Sequence, residues 1–137
     1  MAVMELSQLS RQSPEERVRE SFKQKLILEL GYPSSLLIFE RELSLLPHLR
    51  GVEVPKRRLD LLCFEKGSMK PLLLVECKAI PLTKQALDQV IGYNYFVKAR
   101  YLTLVNQTEI ITLCYTGGEY QLLEKIPSYA DIEHQTS

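Results

Sequence analysis

The sequence predicts a single α/β domain with a mixed central β-sheet flanked by helices. Two segments carry apolar residues at helical spacing, and six short runs rich in β-branched, leucine and aromatic residues are typical of strands. In chain order these segments read α-β-β-β-α-β-β-β, which indicates a mixed sheet covered by helices. A chain of 137 residues is long enough for one hydrophobic core, and it contains no internal repeat.

The first helix is predicted from residue 14 to residue 30. Ser13 suits the N-cap, Pro14 suits the first helical position, and Gly31 followed by Pro33 ends the segment. Its apolar residues recur every four positions and predict one buried stripe: Val18, Phe22, Leu26 and Leu30. We expect a flexible arm over residues 1–12, the domain over 13–129 and a C-terminal tail over 130–137.

Three strands are predicted next, in "SLLIFERELSLL", "RRLDLLCFE" and "KPLLLVECKA". Gly67 and Ser68 supply a turn between the second and the third. Thr83 caps a second helix, which buries Ala86, Val90 and either Tyr93 or Asn94. The last three strands are predicted in "YLTLVN", "EIITLCYT" and "EYQLLEKI", with a tight Gly-Gly turn before the final one.

Composition indicates a cytoplasmic globular protein without a membrane segment. No apolar run approaches the roughly 20 residues that span a bilayer, and the first residues lack the apolar core of a signal peptide. The three cysteines lie in strand-like runs without metal-ligand spacing, so we expect reduced core residues: Cys63, Cys77 and Cys114.

Charge gives a mixed indication about nucleic acid as a partner. The chain has 17 basic and 17 acidic residues, and a formal net charge of zero argues mildly against nucleic-acid binding. The basic residues are concentrated in "HLRGVEVPKRR", residues 48–58. Taken alone, this stretch is typical of a solvated loop.

The hairpin turn predicts that two carboxylates meet. If Gly67 and Ser68 lie at its centre, residues of the two strands pair where their numbers sum to about 136, which places Asp60 opposite Glu76. The same register places Phe64 opposite Leu72. One sheet face then carries residues from both strands: Asp60, Leu62, Phe64, Leu72, Leu74, Glu76 and Lys78.

Two interpretations of this cluster follow from the residue types. In the first, Lys78 neutralises one carboxylate and the other is solvated at the edge of the sheet. In the second, Asp60 and Glu76 supply the hard oxygen ligands that Mg²⁺ or Mn²⁺ prefers, and Lys78 assists a phosphodiester hydrolysis.

The order of the motifs resembles a known family. Asp60 in "RLD" is followed sixteen residues later by "ECK", which resembles the PD-(D/E)XK nuclease signature, although Leu59 replaces the proline. The segments "SPEERVRESF", "ELGYP", "PLLLVECKA" and "LTKQALDQVIGYNYFVKARYLTLVN" resemble the nuclease domain at the N-terminus of the type I restriction enzyme R (motor) subunit, over about residues 13–116. The resemblance implies a restriction-endonuclease-like core and a Mg²⁺- or Mn²⁺-dependent nuclease that acts on DNA without sequence specificity of its own.

The resemblance also implies roles for individual residues. Asp60, Glu76 and the main-chain carbonyl of Cys77 would bind the metal ion, and Lys78 would orient or help activate the nucleophile. Glu16 on the first helix matches the acidic residue that often completes such a site, with Glu20 as the fallback one turn later.

Further residues are implied at the nucleic-acid interface. Gln89 and Tyr93 match a Gln-x-x-x-Tyr element of this nuclease group, which implies contacts with nucleic acid for both and a catalytic, positioning role for Gln89. Otherwise Tyr93 is a core aromatic and Gln89 a surface residue. Three consecutive basic residues lead into the strand that carries Asp60 and are predicted to contact flanking phosphates: Lys56, Arg57 and Arg58.

A second class of function stays open beside the enzyme, since the same fold can serve as a non-catalytic nucleic-acid-binding or assembly module. The sequence contains no Walker-type element, so a separate motor or DNA-targeting protein is a candidate partner. A homodimer is a further candidate, since a double-strand break requires two sites. The residues do not decide between DNA and RNA, between single and double strands, or between internal and terminal cutting.

Overall fold

The structure is a computed structural model that describes residues 12–133. It contains three α-helices, which are α1 (Pro14–Gln24), α2 (Lys84–Val97) and α3 (Tyr129–Glu133). Its six strands are β1 (Leu37–Glu42), β2 (Arg58–Phe64), β3 (Pro71–Cys77), β4 (Tyr101–Val105), β5 (Ile110–Thr116) and β6 (Glu119–Leu123).

The two ends of the chain differ in how far the structure describes them. The arm expected over residues 1–12 lies outside the described residues, apart from Gln12. Residues 130–133, where the expected tail begins, belong to α3. Ile132 in this segment is fully buried against the core.

One mixed sheet organises the domain, as the sequence predicts. The strands lie in the order β1-β2-β3-β4-β5-β6, and every neighbouring pair is antiparallel except β3 and β4. A parallel pair needs a crossover connection, and α2 supplies it. Helices cover both faces: α1 packs in a cluster that contains Val75 and Cys77, and α2 packs in a second cluster that contains Leu62 and Leu74.

The first helix begins as predicted but changes its geometry before it ends. The Oγ of Ser13 accepts a hydrogen bond of 3.1 Å from the Glu16 N–H, which satisfies one of the free donors at the helix start. After Gln24 the chain continues as a π-helical turn, Lys25–Glu29, and Gly31 with φ of 74° ends it. The stripe of Val18, Phe22 and Leu26 is buried, whereas Leu30 is only half-buried.

The β2–β3 register confirms the predicted pairing near the site and corrects it near the turn. Leu61 pairs with Val75, Leu62 with Leu74 and Cys63 with Leu73, each at the predicted sum. A register shift after Cys63 then places Phe64 opposite Pro71, so the Phe64–Leu72 pairing was wrong. Leu72 accordingly packs in the cluster with α1. The irregularity lies between Asp60 and the turn, and it leaves the Asp60 end of the hairpin in register.

The second helix resolves the alternative between Tyr93 and Asn94. Thr83 caps it by accepting a hydrogen bond of 3.1 Å from the Ala86 N–H, as predicted. Asn94 is the buried residue; its side chain accepts from the Ala99 N–H at 2.8 Å and donates to the Ala99 carbonyl at 2.9 Å. Tyr93 is half-buried and contributes to the site.

The cysteines occupy the core positions that the sequence predicts. All three are buried and free: Cys63, Cys77 and Cys114. Burial raises the pKa of the Cys63 thiol to about 12 and also raises that of Cys77, so both stay protonated near neutral pH. Across residues 12–133, no helix combines the length and the apolar character that crossing a bilayer requires.

A buried hydroxyl pair between β4 and β5 provides a test of the sheet. The Oγ1 atoms of Thr103 and Thr112 lie 3.0 Å apart, and both residues are buried. Thr103→Val leaves the Thr112 hydroxyl without its partner and should cost about 1–3 kcal/mol of unfolding free energy, whereas the double change to valine should cost less than the two single changes combined. Urea unfolding of the three variants measures this. Additive losses would contradict the hydroxyl pairing.

Candidate active site

Asp60 and Glu76 form the centre of the candidate site. The β2–β3 register places them side by side at the end of the hairpin that lies away from the turn. Oδ2 of Asp60 accepts a hydrogen bond of 2.8 Å from the Cys77 N–H, and its carboxyl group lies within hydrogen-bonding reach of the Glu76 side chain. The Glu76 side chain is only 6% exposed and that of Asp60 is 19% exposed. The sequence prediction of this meeting is confirmed.

Burial decides the protonation of this pair. The pKa of Glu76 lies well above its ordinary value, first because burial disfavours the charged form and then because Asp60 supplies a hydrogen bond and a like charge. Arg57 and Lys78 act in the opposite direction but do not offset these causes. Near neutral pH the metal-free protein therefore keeps Glu76 protonated. Lys78 does not neutralise the pair on its own.

Lys78 follows the last residue of β3 and is half-buried. Its backbone N–H donates to the Val105 carbonyl at 2.8 Å, which fixes the chain where β3 leaves the sheet beside β4. The Lys78 ammonium is close enough to lower the pKa of Glu76, so its charge acts on the carboxyl pair. This is the environment in which a lysine can stabilise negative charge beside a metal-binding carboxylate.

The sequence did not identify Arg19 of α1 as part of the site. Its Nη1 lies 3.8 Å from Oδ1 of Asp60 and its Nη2 lies 3.4 Å from Oε1 of Glu40. The side chain is 17% exposed. A signal was present, because Arg19 falls between Val18 and Phe22, next to the buried stripe of an amphipathic helix, where a cation needs a partner.

Glu40 of β1 is a third carboxylate near the pair. The β1–β2 register, in which Phe39 pairs with Leu61 and Arg41 with Leu59, places Glu40 beside Asp60, yet this one pair is missing from the ladder. Glu40 has φ of 48°, a left-handed conformation that costs a non-glycine residue on the order of 1–2 kcal/mol. Residues 43–57 between β1 and β2 contain two 3₁₀ turns, so no turn position could predict this register.

Of the three predicted basic residues, Arg57 lies in the site, whereas Lys56 and Arg58 lie on the exposed surface around it, which we call the rim. Arg57 is half-buried; its Nη2 lies 3.8 Å from Oε1 of Glu76, and its guanidinium carbon lies 4.7 Å from the centre of the Tyr93 ring. Lys56 and Arg58 are exposed, and Arg58 Nη2 is 3.7 Å from Oε1 of Glu40. Tyr93 is therefore a residue of the site and not a core aromatic. Gln89, one turn earlier on α2, is exposed.

The structure does not bring Glu16 or Glu20 to the carboxyl pair. Within residues 12–133, no group of three or more His, Cys, Asp or Glu side chains is placed to hold a metal ion. Arg19, three residues after Glu16 and on the same face of α1, is the α1 side chain that contacts Asp60. The Glu16 N–H is engaged in the helix cap, and the Glu20 carboxylate accepts a hydrogen bond of 3.5 Å from Gln24.

The donor set that remains fits Mg²⁺ or Mn²⁺. The adjacent oxygens of Asp60 and Glu76 are hard ligands, and Mg²⁺ is commonly bound through one or two carboxylates while it keeps several waters. The raised pKa of Glu76 reflects in part the like charge of Asp60 beside it, and a cation between the two groups would offset that repulsion. The main-chain carbonyl of Cys77, next to Glu76, stays a predicted third ligand.

Comparisons with known proteins place the chain in a family context. A family model described as "Type I restriction enzyme R protein N terminus (HSDR_N)" matches residues 14–127. No curated protein matches the chain. A solved structure, the fragment structure of a putative HsdR subunit of a type I restriction enzyme from Vibrio vulnificus YJ016, is similar with a TM-score of 0.58 and 22% identity. The similarity covers 83% of this chain but 23% of that one, and it shows a shared fold.

The protonation of Glu76 predicts how stability depends on pH. The folded state keeps this proton above the ordinary value of about 4.5, so the contribution of Glu76 to stability is complete below that value and is lost as pH rises towards the raised pKa. Glu76→Gln cannot titrate. Its melting temperature, measured with a chelator present, should therefore rise relative to the wild type by several degrees between pH 5 and pH 8, at roughly 2–4 °C per kcal/mol.

An exposed carboxylate on β1 provides the matched control for this experiment. Glu42→Gln should follow the wild type across the same pH range, because Glu42 is exposed and lies at the end of its strand. Parallel curves for Glu76→Gln and Glu42→Gln would contradict the buried, protonated state of Glu76.

Proposed function

From the premise that the chain belongs to the family of type I restriction enzyme R protein N termini, we propose that it is a Mg²⁺- or Mn²⁺-dependent nuclease that hydrolyses the phosphodiester bonds of DNA. The observation that carries the proposal is the meeting of Asp60 and Glu76 in a buried pair beside Lys78. Two carboxyl groups in hydrogen-bonding contact are costly in a sheet, and a bound cation removes that cost.

Each residue of the site has a separate role in the proposed reaction. Asp60 and Glu76, with the Cys77 carbonyl, hold the ion. When bound, the ion would lower the pKa of a water molecule and offset the charge that develops on the phosphate. Lys78 orients the nucleophile and stabilises negative charge at the same place. The Cys77 N–H and Arg19 keep the Asp60 carboxylate in position, at 2.8 Å and 3.8 Å respectively.

Residues at the rim bind the DNA backbone. Lys56 and Arg58 are exposed, and the one ion pair that Arg58 forms within residues 12–133 is with the Glu40 carboxylate, at 3.7 Å. An exposed ion pair of this kind is worth at most about 1 kcal/mol and is screened by salt, so a phosphate can displace it. Gln89 is exposed on α2, one turn from Tyr93, and in this proposal it contacts the DNA. These contacts carry no base information, in line with a nuclease that has no sequence specificity of its own.

Partners form part of the same proposal. The chain spans 23% of the HsdR fragment that it resembles. We propose that a separate motor or DNA-targeting protein, or a second copy of the chain, brings this domain to its substrate. The second candidate function is a non-catalytic nucleic-acid-binding or assembly module on the same fold, and cleavage by the isolated chain separates the two.

The test is a cleavage assay with purified protein. Linear, circular and single-stranded DNA, and RNA, are each incubated with Mg²⁺ or Mn²⁺; we expect nicking or degradation of DNA that a chelator stops. Asp60→Asn, Glu76→Gln and Lys78→Ala should each reduce the rate by about 100-fold or more, and combining them should add little, because they act as one unit. Gln89→Ala should have a smaller effect.

Glu119→Ala serves as the control, since Glu119 is an exposed carboxylate at the start of β6. It should cut at the wild-type rate. Absence of cleavage by the wild type on every substrate with both metals would contradict the nuclease and favour the binding module. Equal activity of the wild type and Asp60→Asn would place the chemistry elsewhere.

A further inference from the structure

Arg57 joins two elements of the site that are distant in sequence. It precedes β2 directly, and its guanidinium lies between the carboxylate of Glu76 on β3 and the ring of Tyr93 on α2. The guanidinium carbon is 4.7 Å from the centre of the ring, and Nη2 is 3.8 Å from Oε1 of Glu76. The side chain is 37% exposed, so the guanidinium reaches the surface from a position beside the buried pair.

The hydrogen-bonding capacity of Arg57 is largely unused within the described residues. A guanidinium has five N–H donors in a rigid fork. Its contact with Glu76 at 3.8 Å is longer than the roughly 2.7–2.9 Å of a charge-assisted hydrogen bond. Its Nε is buried and has no hydrogen-bond partner in the part of the chain that the structure describes. An unpartnered buried donor is costly, so an anionic oxygen that reaches it is favoured.

The position of Arg57 suits a phosphate at the carboxyl pair. The guanidinium fork matches the oxygens of a phosphate and can donate two parallel hydrogen bonds to it. Arg57 makes only the 3.8 Å contact with Glu76, so its donors stay available to an anion that lies beside an ion at the carboxyl pair. Lys56 and Arg58 have no comparable contact with Glu76 among the ion pairs of residues 12–133.

Tyr93 limits where the guanidinium of Arg57 can lie. A cation over an aromatic face is attracted by the ring and not by the hydroxyl. An arginine side chain has several rotatable bonds, and the ring face favours the rotamers that lead towards Glu76. The contact of Tyr93 with the site is therefore made through Arg57.

We propose that Arg57 binds the phosphate that is cut and that Tyr93 is a positioning residue that acts through Arg57. This inference rests on the proposed nuclease function. It separates Arg57 from Lys56 and Arg58, which contact flanking phosphates, and it assigns the role of Tyr93 to the face of its ring.

The test separates rate from binding. The turnover number and KM for DNA are measured for Arg57→Lys, Arg57→Ala, Tyr93→Phe and Tyr93→Leu, with Lys56→Ala as the neighbouring basic control. Arg57→Lys should lower the turnover number by at least about tenfold, because lysine keeps the charge but lacks the guanidinium fork. Tyr93→Leu should lower it by at least about tenfold as well, because the variant lacks the ring face that positions Arg57. Tyr93→Phe should keep the wild-type rate. Lys56→Ala should raise KM alone, and less strongly at high salt, because the variant has lost one salt-dependent phosphate contact.

A double variant distinguishes positioning from a general structural effect. If Tyr93 acts through Arg57, Arg57→Ala combined with Tyr93→Leu should cut no more slowly than Arg57→Ala alone. Additive losses would overturn the coupling. A loss in Tyr93→Phe equal to that in Tyr93→Leu would overturn the ring-face role, and a change in KM alone for both Arg57 variants would make Arg57 a flanking contact.

A binding measurement keeps this inference distinct from the proposed function. If the wild type cuts nothing, the nuclease function fails, and fluorescence anisotropy of a labelled DNA duplex in Ca²⁺ then decides the role of Arg57. Weaker binding by Arg57→Ala and Tyr93→Leu than by Lys56→Ala, with wild-type binding by Tyr93→Phe, supports the phosphate contact. If the two Arg57 variants and the two Tyr93 variants all bind the duplex as tightly as Lys56→Ala does, the phosphate contact is overturned.

Discussion

The closeness of the Asp60 and Glu76 carboxyl groups is the constraint on which the rest of the site depends. The β2–β3 register brings the two residues together, and the Cys77 N–H fixes Asp60 at 2.8 Å. Burial of Glu76 raises its pKa, so the metal-free protein keeps Glu76 protonated near neutral pH. Ionising both carboxyl groups would be unfavourable for the fold, because like charges in contact repel and a buried charge is poorly solvated. The structure keeps the pair because each neighbouring element supplies a compensating group.

These compensating groups explain the arrangement of the elements around the hairpin. The first helix places Arg19 against Asp60, β1 supplies Glu40 as the second partner of Arg19, and the segment before β2 places Arg57 beside Glu76. The crossover helix α2 contributes Tyr93 under Arg57, while its buried Asn94 holds the end of the helix to Ala99. The backbone of Glu40 accepts a left-handed conformation at the position beside Asp60, and strained residues of this kind are often found at functional sites.

The sequence predicted those features that follow from local rules. Ser13 and Thr83 cap their helices as their residue types indicate, and one turn position was enough to derive the pairing of Asp60 with Glu76. Other features needed information that a single segment does not contain. The shift at Phe64 depends on how the Gly67 turn closes, and the neighbourhood of Glu40 depends on a β1–β2 register set by a long connection. Arg19 and Glu16 share a face of α1, so which of them contacts Asp60 depends on how far α1 is shifted along its axis against the sheet, which its i, i+4 stripe does not define.

Metal-dependent stabilisation measured on the wild type and on Asp60→Asn tests most directly whether the carboxyl pair is a metal site. Asparagine keeps an acceptor for the Cys77 N–H but removes one of the two charged ligands. An ion at one hundred times its dissociation constant stabilises the folded state by about 2.7 kcal/mol, which corresponds to roughly 5–10 °C in melting temperature for a domain of this size. Titration with Mn²⁺ should raise the melting temperature of the wild type by that amount and leave Asp60→Asn unchanged. Equal shifts in the two proteins, or no shift in either, would contradict a metal site at Asp60 and Glu76.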